Sequence, residues 1–384
     1  MKAIKYILFF YLVVFFSVTA QAKKDKLRIG AILPLSGKYS DIGVRVMNTI
    51  QLTIFELDNL NIEIYPYDTK SSKEGAKNAY LKAREKNLNI FIGPITAESL
   101  EEIKNLKDFQ NSFFFSFSNK ETKIPSNVLN FGVNLSSEIK ALDNFLKKRS
   151  DKIVYFAKEN NFSKLTLERL KSKVKIKKKY FYRDFNEIKL RSLQATNFNY
   201  RNKKHLDQIK RLKATGDEGD ANYAKELEKH DTREGVNYRR VFIPNYNNEL
   251  IASISFFDFY DVNYKTVQFI TLNQWFNRNL LLEPSLENII FPSINLNAFD
   301  KLNKKYKKVY GNNIENIEIL AFDIVPLIAS TWFNKKENYL RIEDFQKSTF
   351  KGEIGKFKIE KNKVNHELQL YKIKKGKFIK VKKT

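Results

Sequence analysis

The 384-residue chain carries 69 Lys and Arg against 43 Asp and Glu, a formal net charge of +26, with 42% hydrophobic residues and no cysteine. At roughly 150 residues per domain this length predicts two or three domains, and the apolar content suffices for packed cores, which excludes a disordered basic tail. Without cysteine there is no disulfide framework, thiolate metal site, catalytic thiol or lipid-bearing cysteine, so packing alone must hold the fold.

Lys2 and Lys5 precede an apolar run from Ile7 to Val18, and Ala20-Gln21-Ala22 follows. This order of positive segment, apolar core and A-x-A site reads as a secretory signal peptide over residues 1–22, cleaved before Lys23. The run is shorter than the roughly 20 residues that span a bilayer. Its removal takes away two lysines and leaves +24 on a periplasmic chain that is not a lipoprotein. Basic surfaces attract polyanions, but that compartment argues against nucleic acid and leaves an anionic membrane surface or the cell wall. The lysine-dense stretches at Lys171–Lys179, Arg201–Lys213, Lys301–Lys308 and Lys374–Lys383 are interleaved with apolar residues. They read as solvated faces of ordinary helices and strands.

The mature chain opens with a buried strand, Leu27–Leu33, ended by Pro34-Leu35-Ser36-Gly37. A helix from Ser40 or Asp41 follows, its apolar face formed by Ile42, Val46, Ile50, Ile54 and Leu57. Next come a strand at Ile62–Tyr67, a helix at Lys73–Lys86, a strand at Asn89–Ile92, a helix at Ala97–Phe109 and strands at Ser112–Phe117 and Leu129–Val133. A second alternating series follows: helix Ser136–Lys148, strand Lys152–Ala157, helix Ser163–Leu170 and strand Lys175–Tyr182. Such alternation predicts βαβ units and parallel sheets, and two series predict two lobes. Residues 184–232 lose strand character and read as a helical insertion with a turn at Thr215–Gly219. Strands resume at Arg240–Ile243, Thr266–Thr271 and Asn288–Phe291, with helices at Asn248–Phe257, Asn297–Val309 and Ile317–Trp332. Short alternating runs over 351–380 predict a small antiparallel meander.

Catalytic chemistry is absent from this pattern. His205, His230 and His366 lack partners at ligand spacing and read as surface residues. No G-x-S-x-G, H-E-x-x-H or G-x-G-x-x-G occurs. The run Gly30–Lys38 has six residues between its glycines where a phosphate loop needs four. Glu101 and Glu102 are adjacent on a helix and point apart. No metal or cofactor is expected. What remains is the loops at the carboxyl ends of the first strands, where helix N-termini offer free N–H groups to a ligand. These are Ser36-Gly37, Thr96-Ala97-Glu98 and Ser116-Phe117-Ser118-Asn119; helix capping explains the same residue types.

The opening Ile29-Gly30-Ala31-Ile32-Leu33-Pro34-Leu35-Ser36-Gly37 with Gly43 resembles the first strand and loop of type I periplasmic binding proteins of the leucine-binding-protein kind. Asp68-Thr69, Ala76 with Ala79, Ile92-Gly93-Pro94, Ser116-Phe117-Ser118-Asn119 and Ala321-Phe322-Asp323 continue the resemblance in order. Within that superfamily, Phe115–Asn119, the helical segment before Val241-Phe242-Ile243-Pro244, and Gln268-Phe269-Ile270 with Trp275 resemble the penicillin-binding-protein activator branch. The resemblance implies an α/β fold of two Rossmann-like lobes joined by three crossovers, with lobe I at 27–133 plus 273–336 and lobe II at 134–272 plus 337–384. It implies a non-enzymatic role in peptidoglycan synthesis through contact with a synthase or a cell-wall fragment. Members of that branch are often lipoproteins, from which a chain without cysteine departs. The alternative it leaves is the receptor of an ABC importer, serving its permease with branched-chain amino acids or related small polar solutes. Such a receptor would hold a carboxylate on the Thr96 and Ser118 loops and place an aromatic at Phe162. An acid from the second lobe would take the ammonium, yet the loop Leu272-Asn273-Gln274-Trp275 supplies none. An unpaired buried ammonium is costly, which favours the regulator. The expected cleft residues are Ser36, Gly37, Thr96, Ala97, Ser118, Asn119, Phe162 and Asn273.

Overall fold

The computed structural model describes residues 26–382 except 59, 148–151, 274–277, 316 and 347–348. The expected signal peptide and the positions Gln274 and Trp275 lie outside the described residues.

Strand β1 (Leu27–Leu33) is buried at every position but Arg28, as a strand covered on both faces must be. It centres the first sheet, where β2 (Ile62–Asp68), β3 (Ile90–Ile92), β4 (Phe113–Ser116) and β5 (Val128–Asn130) run parallel in spatial order β2-β1-β3-β4-β5. Helices α1 (Ser40–Glu56), α2 (Lys73–Glu85) and α3 (Ala97–Lys104) connect them. Gly43 lets α1 settle on the end of β1, because a Cβ there would stand 2.0 Å from the Pro34 carbonyl oxygen. The chain then crosses to α4 (Leu135–Lys147) and a second parallel sheet. Its strands are β6 (Ile153–Lys158), β7 (Ile176–Tyr182), β8 (Arg240–Phe242), β9 (Gln268–Ile270) and β10 (Ile290–Ser293), in the same spatial pattern β7-β6-β8-β9-β10. Helix α5 (Asn161–Lys171) joins β6 to β7.

The insertion before β8 is three helices, α6 (Glu187–Thr196), α7 (Phe198–Ala214) and α8 (Glu218–Leu227), close to the expected span. Buried Arg201 pins its base by donating to the carbonyls of Thr196, Glu234 and Tyr260 and to the Thr232 hydroxyl. Helix α9 (Asn247–Phe259) follows β8. After β10 the chain returns to the first lobe. Helices α10 (Leu296–Tyr310) and α11 (Ala321–Phe333) pack against α1, where Arg45 meets the buried Glu318 at 2.7 Å and the Tyr310 hydroxyl donates to the Asn48 carbonyl.

The C-terminal strands are antiparallel and divided between the sheets. β11 (Thr349–Lys351), β12 (Lys356–Glu360) and β13 (Lys363–His366) extend the first sheet through β13 against β5, whereas β14 (Gln369–Lys374) and β15 (Lys377–Lys380) extend the second through β14 against β10. The chain therefore passes between sheets three times: before α4, after β10 and between β13 and β14. This corrects the expected lobe boundaries, since β10 pairs in the second sheet and β11–β13 in the first. Alternating hydrophobicity announces a strand without saying which sheet it will join.

Two of the three histidines depart from their expected surface placement. His205 is buried and its Nε2 meets the Leu227 carbonyl at 2.9 Å; His366, at the third crossover, is buried with Nε2 at 2.8 Å from the Phe131 carbonyl. Both lie in runs of polar neighbours, and burial came from tertiary packing. Among the described residues no helix is long and apolar enough to cross a membrane.

Candidate functional site: the cleft between the lobes

Both sheets aim the carboxyl ends of their strands at one cleft, which encloses a cavity of about 490 Å³. That is within the roughly 300–1,000 Å³ usual for small-ligand sites. The first lobe contributes Ile95 and Ala97 after β3, and Phe117, Ser118 and Asn119 after β4. Gly132 and Val133 of the first crossover and Ile317 and Leu320 before α11 complete that side. The second lobe supplies Glu138 on α4, Phe162 on α5, Tyr246 after β8 and Asn273 after β9.

Of the expected site residues, Ala97, Ser118, Asn119, Phe162 and Asn273 thus share one cavity. Thr96 faces a neighbouring hollow of about 350 Å³ with Tyr39 and Ser71, and its hydroxyl is spent on α3: it accepts from the Ser99 N–H and donates to the Ser99 hydroxyl at 2.8 Å. Ser36 and Gly37 line neither space. The Ser36 hydroxyl donates to Asp68 at 2.6 Å, and the Asp68 carboxylate also accepts from the N–H groups of Leu35, Ser36 and Lys70. Partial burial alone would raise the Asp68 pKa, but these donors, the Ser36 hydroxyl foremost, hold it below its ordinary value. The Ser36 loop is therefore a staple between the ends of β1 and β2. Asp68, which the sequence offered only as part of a resemblance, is the group that fixes it.

The residue that sequence reasoning missed is Glu138. In the sequence it is an ordinary acid in the first turn of a helix, favourable to the helix dipole. In the fold it is buried against the cavity, and its Oε1 accepts the Asn273 N–H at 2.6 Å. Burial pushes its pKa up to about 8; the Asn273 N–H opposes this and the charge of Glu121 adds to it. At neutral pH it is mainly a neutral carboxylic acid, with a proton to give or lose. Tyr246 stands close enough that, after burial, Glu138 is the next cause raising its phenol pKa, and its ring lies 6.0 Å from that of Phe162. The second lobe thus meets the cavity with an aromatic pair beside a protonated acid. The loop at Leu272–Asn273 indeed brings no acid, but the helix before it does, which corrects the expectation that an amine would find no counter-charge.

The polar groups of Ser118 are already engaged. The Ser118 N–H donates to the Ser116 hydroxyl at 3.2 Å, and the Ser118 hydroxyl accepts from the Lys120 N–H. At the rim the lobes are tied together. Glu121, on the loop after β4, accepts the Ser136 N–H at 3.1 Å and meets Arg169 of α5 at 2.6 Å and Lys363 of β13 at 3.4 Å. Burial would raise the Glu121 pKa, yet the hydrogen bond from Ser136 and the Arg169 guanidinium bring it below its ordinary value. Among the described residues no cluster of His, Asp and Glu could hold a metal ion. A separate hollow of about 460 Å³ lies at the opposite ends of β3–β5, beside Asn89, Phe113, Asn127 and Arg341, away from the strand ends that build the cleft.

No family model and no curated protein matches the sequence. Solved structures do match. The branched-chain amino acid transporter substrate-binding protein LivJ of Streptococcus pneumoniae, in complex with isoleucine, aligns at 14% identity over 93% of this chain and 100% of its own, with a TM-score of 0.59. A putative branched-chain amino acid ABC transporter protein of Rhodospirillum rubrum aligns at 9% identity over 93% and 100%, with a TM-score of 0.70. Full-length LpoA of Haemophilus influenzae aligns at 13% identity over 93% of this chain and 59% of its own, with a TM-score of 0.60. These likenesses are likenesses of fold. With two parallel sheets, three crossovers and a cleft at the strand ends, the chain has the fold of the type I periplasmic binding proteins.

Proposed function

We propose that this chain is a non-enzymatic, exported regulator of peptidoglycan synthesis that acts by contact with a synthase or a cell-wall fragment. The observation that carries this reading is that the Thr96 and Ser118 donors expected to hold a carboxylate are already bonded within the protein. A carboxylate arriving at the Thr96 and Ser118 loops would meet a Thr96 hydroxyl and a Ser118 N–H already bonded within the protein. A polar solute recognised there would first have to break those bonds, each worth about 1 kcal/mol net. The resemblance to the penicillin-binding-protein activator branch and the three-helix insertion on the second lobe support the same reading. Pull-down of a bifunctional peptidoglycan synthase by the mature chain at physiological salt tests it. Absence of capture would refute it, and complete loss of binding on adding moderate salt would reduce the interaction to nonspecific charge attraction.

Glu138 favours a second reading, an importer receptor for a solute bearing an amine. An ammonium placed beside it would favour its ionised form, so that the carboxyl gives its proton to solvent and pairs with the amine as a carboxylate. Thermal-shift screening against amino acids, amides, sugars and muropeptides separates the two. A ligand at a hundredfold excess over its dissociation constant stabilises by about 2.7 kcal/mol, so a rise of several degrees with leucine-like amino acids would replace the regulator reading.

A further inference from the structure

A groove of about 1160 Å³ lies at the hinge and shares no lining residue with the cleft. It is bounded by α4 of the second lobe, by the turn after β11 in the first, and by two of the crossovers, at Asn295 and at Glu367–Leu368. Its floor is apolar, with Phe145, Leu368, Leu370 and Val381, and its rim carries Lys351, Lys356, Lys380 and Lys382 against Glu353 and Glu367. None of the four lysines has an ion pair among the described residues. Both sheets end here: β11 and β15 are the outermost strands of their sheets, and their last residues, Lys351 and Lys380, line the groove. An outermost strand leaves one row of backbone N–H and C=O groups without a strand partner, ready to pair with an added strand.

We propose that this groove binds an extended acidic peptide segment of a partner protein, paired with a strand edge and neutralised by the four lysines. An apolar floor under a cationic rim fits a strand whose side chains alternate between apolar and acidic, since successive residues of a strand face opposite ways. The same lysines repel a second copy of this edge, so the site discriminates against self-association while admitting an acidic strand. The proposal does not rest on which ligand the interlobe cleft takes. It also gives a role to the C-terminal lysine run, which the charge census alone could not separate from composition.

The test is fluorescence polarisation with the mature chain and a labelled octapeptide alternating Glu with Val. The same peptide with every backbone nitrogen methylated keeps the charge but has no N–H to donate on either strand edge. The expected result is saturable binding of the first peptide, at least tenfold weaker binding of the methylated one, and at least tenfold loss in the Lys351→Glu/Lys380→Glu variant with its melting temperature unchanged. Hydrogen exchange on the unmodified protein, slowed over 349–356 or 377–382 by the peptide, gives the same answer without a variant. No binding, equal binding of both peptides, undiminished binding by the variant, or protection confined to other segments would overturn the proposal.

Discussion

Replacing Glu138 by Gln keeps an acceptor for the Asn273 N–H while removing the ionisable proton. The wild-type carboxyl has an ordinary pKa of 4.5 and a folded value of about 8, because burial disfavours the anion. The folded state therefore binds more protons than the unfolded state between those values. Stability linked to this group is fully present below pH 4.5 and is lost as pH rises through about 8. Integrated over that window, the wild type gives up under about 1 kcal/mol by pH 5 and about 3 kcal/mol by pH 7, a loss the Gln variant does not share. For a cooperative unit of 150–250 residues, about 3 kcal/mol corresponds to roughly 6–12 °C in melting temperature. Thermal unfolding of both proteins from pH 5 to 8 should show the variant gaining on the wild type as pH rises. Imperfect packing of the amide would add a constant offset and leave that slope intact, and the other buried titrating groups are common to both proteins and cancel. A difference independent of pH, or one that shrinks toward pH 8, would refute the placement of a neutral acid in the cleft. If the importer reading holds, the same variant loses its amine ligand while gaining stability.

Other substitutions probe the rest of the frame. His366 is held neutral, its pKa lowered to about 4 by burial, so its contribution is present above the ordinary 6.5 and lost as pH falls toward about 4. The cost is about 3 kcal/mol, and His366→Gln should flatten the acid side of the stability profile measured by urea titration. A Cβ on Gly352 would stand 2.3 Å from the Asp323 carboxylate, which accepts the Glu353 N–H. Gly352→Ala should therefore cost about 1–3 kcal/mol, read as a lower denaturation midpoint, with Gly235→Ala, where a Cβ meets nothing within 4 Å, as the comparison. Glu121→Gln removes the charge shared by Arg169 and Lys363 across the lobes. The expected outcome is a larger radius of gyration in small-angle scattering with little change in secondary structure, and an unchanged radius would deny the pair a part in closure.

How much of this was legible in the sequence depends on how local each feature is. Strand β1 and the start of α2 fall where the sequence places them, because an apolar run broken only by Arg28 and a Ser72 cap on the Gly75 N–H are properties of a few adjacent residues. The lobe boundaries were misread because β10 is as apolar as any first-sheet strand, and its neighbours β9 and β14 are set by a chain path that hydrophobic period does not encode. Glu138 was missed and His366 misread for a related reason. Each is surrounded in sequence by Ser, Lys or Asn, and each was buried by a segment more than a hundred residues away, Asn273 for one and Phe131 for the other. Nothing in the residues around Gly352 points to Asp323, 29 positions earlier, whose carboxylate it has to clear.

The lysine excess divides along the same line. On β7, the opposite outer strand of the second sheet, Lys178 and Lys179 are exposed and the strand is an edge. Cationic residues on an edge discourage pairing with another chain, which gives this run a structural purpose without a partner. The run on β14 and β15 also ends on an edge, but there the lysines surround a groove with an apolar floor that both lobes build. Equal densities of lysine in the sequence thus serve opposite ends, one closing an edge and the other selecting what may approach it. Only the second is positioned to report a bound partner to the hinge.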